Sequence, residues 1–162
     1  MKPFRDKYDP SATDRYPAHV TVLYPFKPPD NLTKTDFDNL SRYFALFKPF
    51  HFSLVATRRF PGVLCLAPEP SEPFRRLTFA IWDRYPETPP YGGRYPDVIP
   101  HLTVADQLAD EELDRIDAEF KQASEGKLPI SAVASEIALL DTKSGRWQVR
   151  ATLKLGGDAR IA

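Results

Sequence analysis

Apolar positions along the chain recur with two spacings, and the order in which those spacings alternate predicts the elements. Residues 1–17 show neither spacing, and Asp9-Pro10-Ser11 and Tyr16-Pro17 read as turns. His19 to Tyr24 is a β-branched run that predicts a strand stopped by Pro25, followed by a proline loop to residue 32. Thr33 or Thr35 is placed to cap a helix reaching about Phe47. Along it Phe37, Leu40, Phe44 and Phe47 share one face. Phe50, Phe52, Leu54 and Ala56 alternate with His51, Ser53, Val55 and Thr57, which predicts a strand. Phe60-Pro61-Gly62 turns it into a second arm, Val63 to Ala67. Ser71 is expected to cap a second helix that buries Phe74, Leu77, Ile81 and Trp82, and residues 86–100 form a Pro/Gly loop.

The pattern then recurs. His101 to Ala105 predicts a strand, and Asp110 is expected to cap a helix with Glu111 and Glu112 in its first turn. Leu113, Ile116, Phe120 and Ala123 repeat the spacing of the first helix, and Gly126 ends it. Residues 129–140 and 146–155 read as a hairpin around Asp141-Thr142-Lys143-Ser144-Gly145. The chain thus reads as strand, helix, hairpin, twice over. This predicts one α+β domain over residues 1–162, with lobes at about 18–70 and 100–156 related by a pseudo-twofold axis. A ligand site between the lobes is the natural consequence of that arrangement.

Composition narrows the function. At 162 residues, 42% hydrophobic and 27% charged, the chain has the makings of a globular core. Its zero formal net charge argues against non-specific binding of long nucleic acid, which needs a basic surface. No run approaches the roughly 18 apolar residues of a membrane span, and no signal peptide is visible, so a cytoplasmic location is expected. The single cysteine, Cys65, sits in an apolar run and reads as a core residue. No cluster has metal-ligand spacing, and neither metal nor cofactor is expected.

The candidate chemistry lies in two matching motifs, His19-Val20-Thr21 and His101-Leu102-Thr103, each opening one copy of the repeat. In a strand, residues two apart share a face, so each motif presents an imidazole and a hydroxyl on one side. A lone His-x-Thr is a weak signal. Two at equivalent places, with polar faces converging, supply two bases and two donors. One neutral imidazole accepts a proton from the attacking oxygen while an imidazolium protonates the leaving oxygen. Thr21 and Thr103 can donate to phosphate oxygens. His51-Phe52-Ser53 lies in the third element of its copy, and the corresponding stretch near Leu128 to Ile130 has no histidine. His51 therefore reads as a partly exposed strand residue.

The stretch from Tyr8 to Gly156 resembles the 2H phosphoesterase superfamily, in particular 2′-5′ RNA ligase family proteins. The matching text includes Tyr8-Asp9-Pro10-Ser11-Ala12, Pro17-Ala18-His19-Val20-Thr21-Val22-Leu23-Tyr24-Pro25-Phe26 and Phe60-Pro61-Gly62-Val63. It continues with Pro89-Pro90-Tyr91-Gly92-Gly93, Pro100-His101-Leu102-Thr103-Val104-Ala105-Asp106 and Gly145-Arg146-Trp147. The resemblance implies antiparallel sheets lining a central cleft with helices outside. It implies His19 and His101 as catalytic residues and Thr21 and Thr103 as phosphate binders. It implies action on 2′,3′-cyclic phosphates or 2′-5′ linkages of nucleotides or RNA ends, with ligation as the reverse reaction. A binding module for nucleotides or RNA ends with little turnover is the alternative.

Tyr24, Tyr91 and Arg150 are weaker candidates for substrate contacts. For Tyr24 a core position competes with base stacking, for Tyr91 loop packing, and for Arg150 a solvated strand end. Such proteins have a strand ahead of the Asp-Pro-Ser-Ala stretch, and Lys2 to Lys7 does not read as one. A sheet edge left uncovered in this way invites a homodimer.

Overall fold

The structure, a computed structural model, describes residues 1–13, 16–141 and 147–157. It has two compact units: Met1–Pro25 with Phe52–Ser131, and Phe26–His51 with Ala132–Ala162. Both His-x-Thr motifs belong to the first. Among the described residues helices are mixed with antiparallel strand pairs, so the fold is α+β.

One sheet is ordered β3-β2-β1-β4, with β1 Phe50–Phe60, β2 Val63–Glu69, β3 Leu102–Asp106 and β4 Ile130–Ala134; β2 and β3 lie wholly in the first unit. Gly62, at φ 77°, supplies the left-handed position that the tight β1–β2 turn requires. Leu64, Cys65 and Leu66 are fully buried in succession, so β2 is covered on both faces. This explains its continuous apolar run. Val55 is an extra residue in β1 between the pairs Leu54↔Pro68 and Ala56↔Ala67. Such a bulge reverses the inward set, and the alternation predicted through Ala56 ends at Leu54: Ala56 is exposed.

Helix α5 (Asp110–Ala123) buries Leu113, Ile116 and Phe120 against Leu54, Leu64, Leu66, Leu102 and Val104, as its spacing predicts. Asp110 opens that helix instead of capping it; the cap position is Ala109, with no side-chain hydrogen bond. Ser71 likewise makes no side-chain cap for α4 (Glu72–Arg84), whose Phe74, Leu77, Thr78 and Ile81 are buried. The N-terminal segment is helical: α1 is Lys2–Tyr8 and α2 is Pro10–Thr13. Phe4 packs edge-on against Phe120 at 5.1 Å, and α1 lies beside β3.

His19 to Tyr24 is not a strand. Two of its carbonyls are satisfied from outside any ladder, as buried backbone must be. The Thr78 hydroxyl donates to Val22 O at 2.7 Å, and the Tyr91 amide donates to Tyr24 O at 2.6 Å. The chain therefore runs as an anchored, irregular segment beside α4. The second motif differs, because β3 begins directly after His101 with Leu102 and Val104 buried and Thr103 half-buried between them.

In the second unit α3 (Lys34–Phe44) carries a full capping box between Thr33 and Asp36, and buries Leu40 and Phe44. The predicted arm 129–140 is two strands, β4 and β5 (Glu136–Asp141), and only β5 pairs with β6 (Gln148–Lys154). Ser135 breaks the arm; its carbonyl accepts from the Leu155 amide at 2.9 Å. The Thr142 to Gly145 part of the predicted turn, and Arg146, lie outside the described residues.

Candidate functional site

Each histidine is gripped from behind in the same way. His19 Nδ1 lies 2.7 Å from the carbonyl of Pro17, and His101 Nδ1 lies 2.8 Å from the carbonyl of Ile99. A carbonyl can only accept, so each Nδ1 must carry the proton. That leaves Nε2 of each ring as the nitrogen that exchanges a proton with anything else. The grip depends on the residue two positions upstream, and both segments reach it through a proline, Pro17 in one and Pro100 in the other.

The two approaches are anchored independently. Below His19, the buried Arg5 guanidinium donates to Asp9 Oδ2 through Nε at 2.9 Å and through one terminal nitrogen at 2.8 Å. The same nitrogen donates to the Tyr16 carbonyl at 3.3 Å. The Tyr16 ring lies against the His19 imidazole with centroids 4.1 Å apart and planes 37° from parallel. Ahead of His101, Arg75 on α4 pairs with Asp97 at 2.8 Å and donates to the Val98 carbonyl. The His101 ring meets the Phe60 ring edge-on at 5.1 Å.

Burial holds the His19 pKa below the ordinary histidine value. The Pro17 carbonyl and Asp9 oppose that shift, while Arg5 and His101 reinforce it. Its imidazolium is thus the disfavoured form. Burial pushes the Tyr16 hydroxyl up to about 12, so it stays protonated.

Burial raises the pKa of the Tyr91 hydroxyl, and the Thr21 side chain opposes that rise. Tyr91 adopts φ 52°, ψ 31°, left-handed backbone that non-glycine residues rarely take. The hydrogen bond from its amide to the Tyr24 carbonyl and its ring contact with Tyr95 at 5.6 Å hold it there. Strained backbone of this kind costs about 1–3 kcal/mol and persists where surroundings over-determine it. Tyr24 is 52% exposed, so the core position that competed with base stacking is not the one it takes. Arg150 belongs to the second unit, where its guanidinium lies 2.9 Å from the buried carboxylate of Asp141. His51 is an exposed residue of β1.

Sequence reasoning missed Arg5, Asp9, Tyr16 and Phe60 as neighbours of the histidines. A signal for two of them is present: Asp9 and Phe60 stand in the segments that carry the family resemblance, where they read only as turn residues. Arg5 and Tyr16 have none, because their roles depend on a helix and a ring contact that no periodicity announces. Among the described residues no group of three or more His, Cys, Asp or Glu is placed to hold a metal ion, and no helix is long and apolar enough to cross a membrane.

Comparison with known proteins adds one match. No curated protein matches the chain. The family model of the 2′-5′ RNA ligase superfamily matches residues 1–146, which include both histidine motifs and the segments around them. The chain belongs to the 2′-5′ RNA ligase superfamily.

Proposed function

We propose that the chain is a metal-independent phosphodiesterase acting on 2′,3′-cyclic phosphates or 2′-5′ linkages of nucleotides or RNA ends. The observation that carries this is the matched clamp: both Nδ1 atoms sit on carbonyls, leaving two Nε2 atoms for proton transfer at one phosphate. His19, whose charged form burial disfavours, is the base. It takes a proton from water as the water oxygen bonds phosphorus. His101 is the acid, and delivers its proton from Nε2 to the ribose oxygen as the phosphorus–oxygen bond breaks. The reaction restores the pair with the proton on the other ring, and exchange with solvent resets it. Thr21 and Thr103 donate to the non-bridging oxygens. With a ribose hydroxyl in place of water as the attacking group, the same steps join RNA ends.

The chemistry of the residues supports catalysis without a metal: two imidazoles and two hydroxyls supply proton transfer and charge stabilisation. The test is phosphorus NMR of 2′,3′-cyclic mononucleotides, 2′-5′ dinucleotides and RNA fragments with cyclic-phosphate ends. Turnover of any of these that disappears in both His19→Ala and His101→Ala supports the reading. Turnover that survives either substitution overturns it. Tight binding of these ligands by a wild-type chain that never turns them over makes it a binding module instead.

A further inference from the structure

We infer that the buried Arg5–Asp9 pair is a positioning device for His19, acting through Tyr16. The pair lies in the N-terminal segment, whose helix places Arg5 one turn before Asp9. Its side chains are only 6% and 2% exposed, a costly place for charges unless something is gained. A stabilising role alone needs only the Arg5–Asp9 bonds. The structure adds further bonds. Asp9 Oδ1 accepts from the amide and hydroxyl of Ser11 at 3.0 and 2.7 Å, and Arg5 reaches the Tyr16 carbonyl at 3.3 Å. Both ends of the segment between α1 and His19 are thus tied to one ion pair.

Tyr16 is three residues from His19, and its ring lies on the imidazole. Pro17, whose carbonyl receives the His19 Nδ1 proton, is the next residue. Fixing the Tyr16 carbonyl therefore fixes, within one peptide unit, both the face and the back of the His19 ring. The device also bears on charge. Arg5 disfavours the His19 imidazolium and Asp9 favours it. The other titratable groups facing His19 are His101 and Tyr16, with Tyr24 and Tyr91 beyond Tyr16. Tyr16 stays neutral, so Arg5, Asp9 and His101 are the charges that set the balance.

The inference rests on His19 being the base, and the experiment separates the two. The chain has three histidines, so their ring protons are resolved by NMR and assigned with His51→Gln and His101→Gln. Removing one member of the pair leaves a buried charge, so the double variant Arg5→Met/Asp9→Leu keeps the fold testable, with circular dichroism as the check. In that variant the ring-to-ring nuclear Overhauser contacts between Tyr16 and His19 are expected to vanish. Where the wild type turns over a cyclic nucleotide, kcat is expected to fall about 10- to 100-fold with KM changed less than threefold. Tyr16→Leu should copy the kinetic loss, and Tyr16→Phe, which keeps the ring, should restore most of it. In the folded single variants, Arg5→Met should raise the His19 titration midpoint and Asp9→Asn should lower it. A folded double variant with the ring contacts and kcat intact overturns the inference. So do midpoint shifts of the same sign in both single variants. A wild type without turnover sinks the catalytic reading, while the NMR arms still decide the positioning one.

Discussion

His19 and His101 are held by the same contact, a proton on Nδ1 given to the carbonyl two residues upstream, at 2.7 Å in one and 2.8 Å in the other. The backbones that make those contacts differ. One is an irregular segment anchored by Thr78 and Tyr91, and the other leads straight into β3. The shared feature is thus an Nε2 left for proton exchange, and the proposed function rests on it.

Because the proton on Nδ1 is locked, glutamine is an imperfect substitute at both positions. His19→Gln and His101→Gln can each keep a polar contact but cannot transfer a proton. Each is expected to lose at least about 100-fold in kcat. Steady-state rates with a cyclic mononucleotide check this, and activity near wild type in either variant refutes the assigned role.

The threonines are expected to contribute less. Thr21→Ala and Thr103→Ala each remove one donor to phosphate, with an expected loss of about 10- to 1,000-fold in kcat. Tyr91→Phe removes a hydroxyl that the Thr21 side chain influences and should cost less than Thr21→Ala does. A larger loss in Tyr91→Phe than in Thr21→Ala would give the Tyr91 hydroxyl a direct part.

The pH dependence follows from the lowered His19 pKa. Unfolded histidine titrates near about 6.5, and folded His19 titrates below that. Near pH 6 the unfolded chain therefore binds more protons, and stability rises with pH there. The His19 contribution is complete above about pH 6.5 and is lost as pH falls through the folded midpoint. The acid limb of activity should follow the same folded midpoint, since the base must be neutral. Chemical denaturation at pH 5 and 7, in wild type and His19→Gln, measures the first. A pH–rate profile with its acid limb above about pH 6.5 contradicts the second.

Stability should be most sensitive where β2 and α5 meet. Leu64→Ala and Ile116→Ala, both fully buried, are expected to cost about 2–5 kcal/mol each. Breaking one side of the Arg5–Asp9 pair by Asp9→Asn should cost about 3–5 kcal/mol, since it leaves a buried cation unpaired. Thr33→Ala, which removes the α3 cap, should cost only about 0.5–2 kcal/mol. Urea unfolding midpoints give the order. A Thr33→Ala loss as large as that of Leu64→Ala would contradict the placement of the core.

Much of this is legible in the sequence, for identifiable reasons. Leu113, Ile116 and Phe120 announce α5 because a helix on a core must repeat every three or four residues. Cys65 announces a core position by its apolar neighbours. The histidines stand out because two matching tripeptides open matching stretches. What is not legible depends on partners distant in sequence. His19 to Tyr24 has strand composition, but Thr78 and Tyr91 take two of its carbonyls, and no ladder forms. Alternation along β1 cannot reveal the bulge at Val55. Arg5 and Asp9 look like ordinary surface charges until a helix pairs them, and Tyr24 looks apolar enough for a core that it does not enter.

The most direct test is the rate of 2′,3′-cyclic mononucleotide hydrolysis by wild type, His19→Ala and His101→Ala, each assayed in excess EDTA with binding measured in parallel. The account predicts wild-type turnover unchanged by EDTA, losses of about 100-fold or more in both variants, and binding weakened only modestly. Turnover that EDTA abolishes in the wild type, or that persists in either variant, would contradict it.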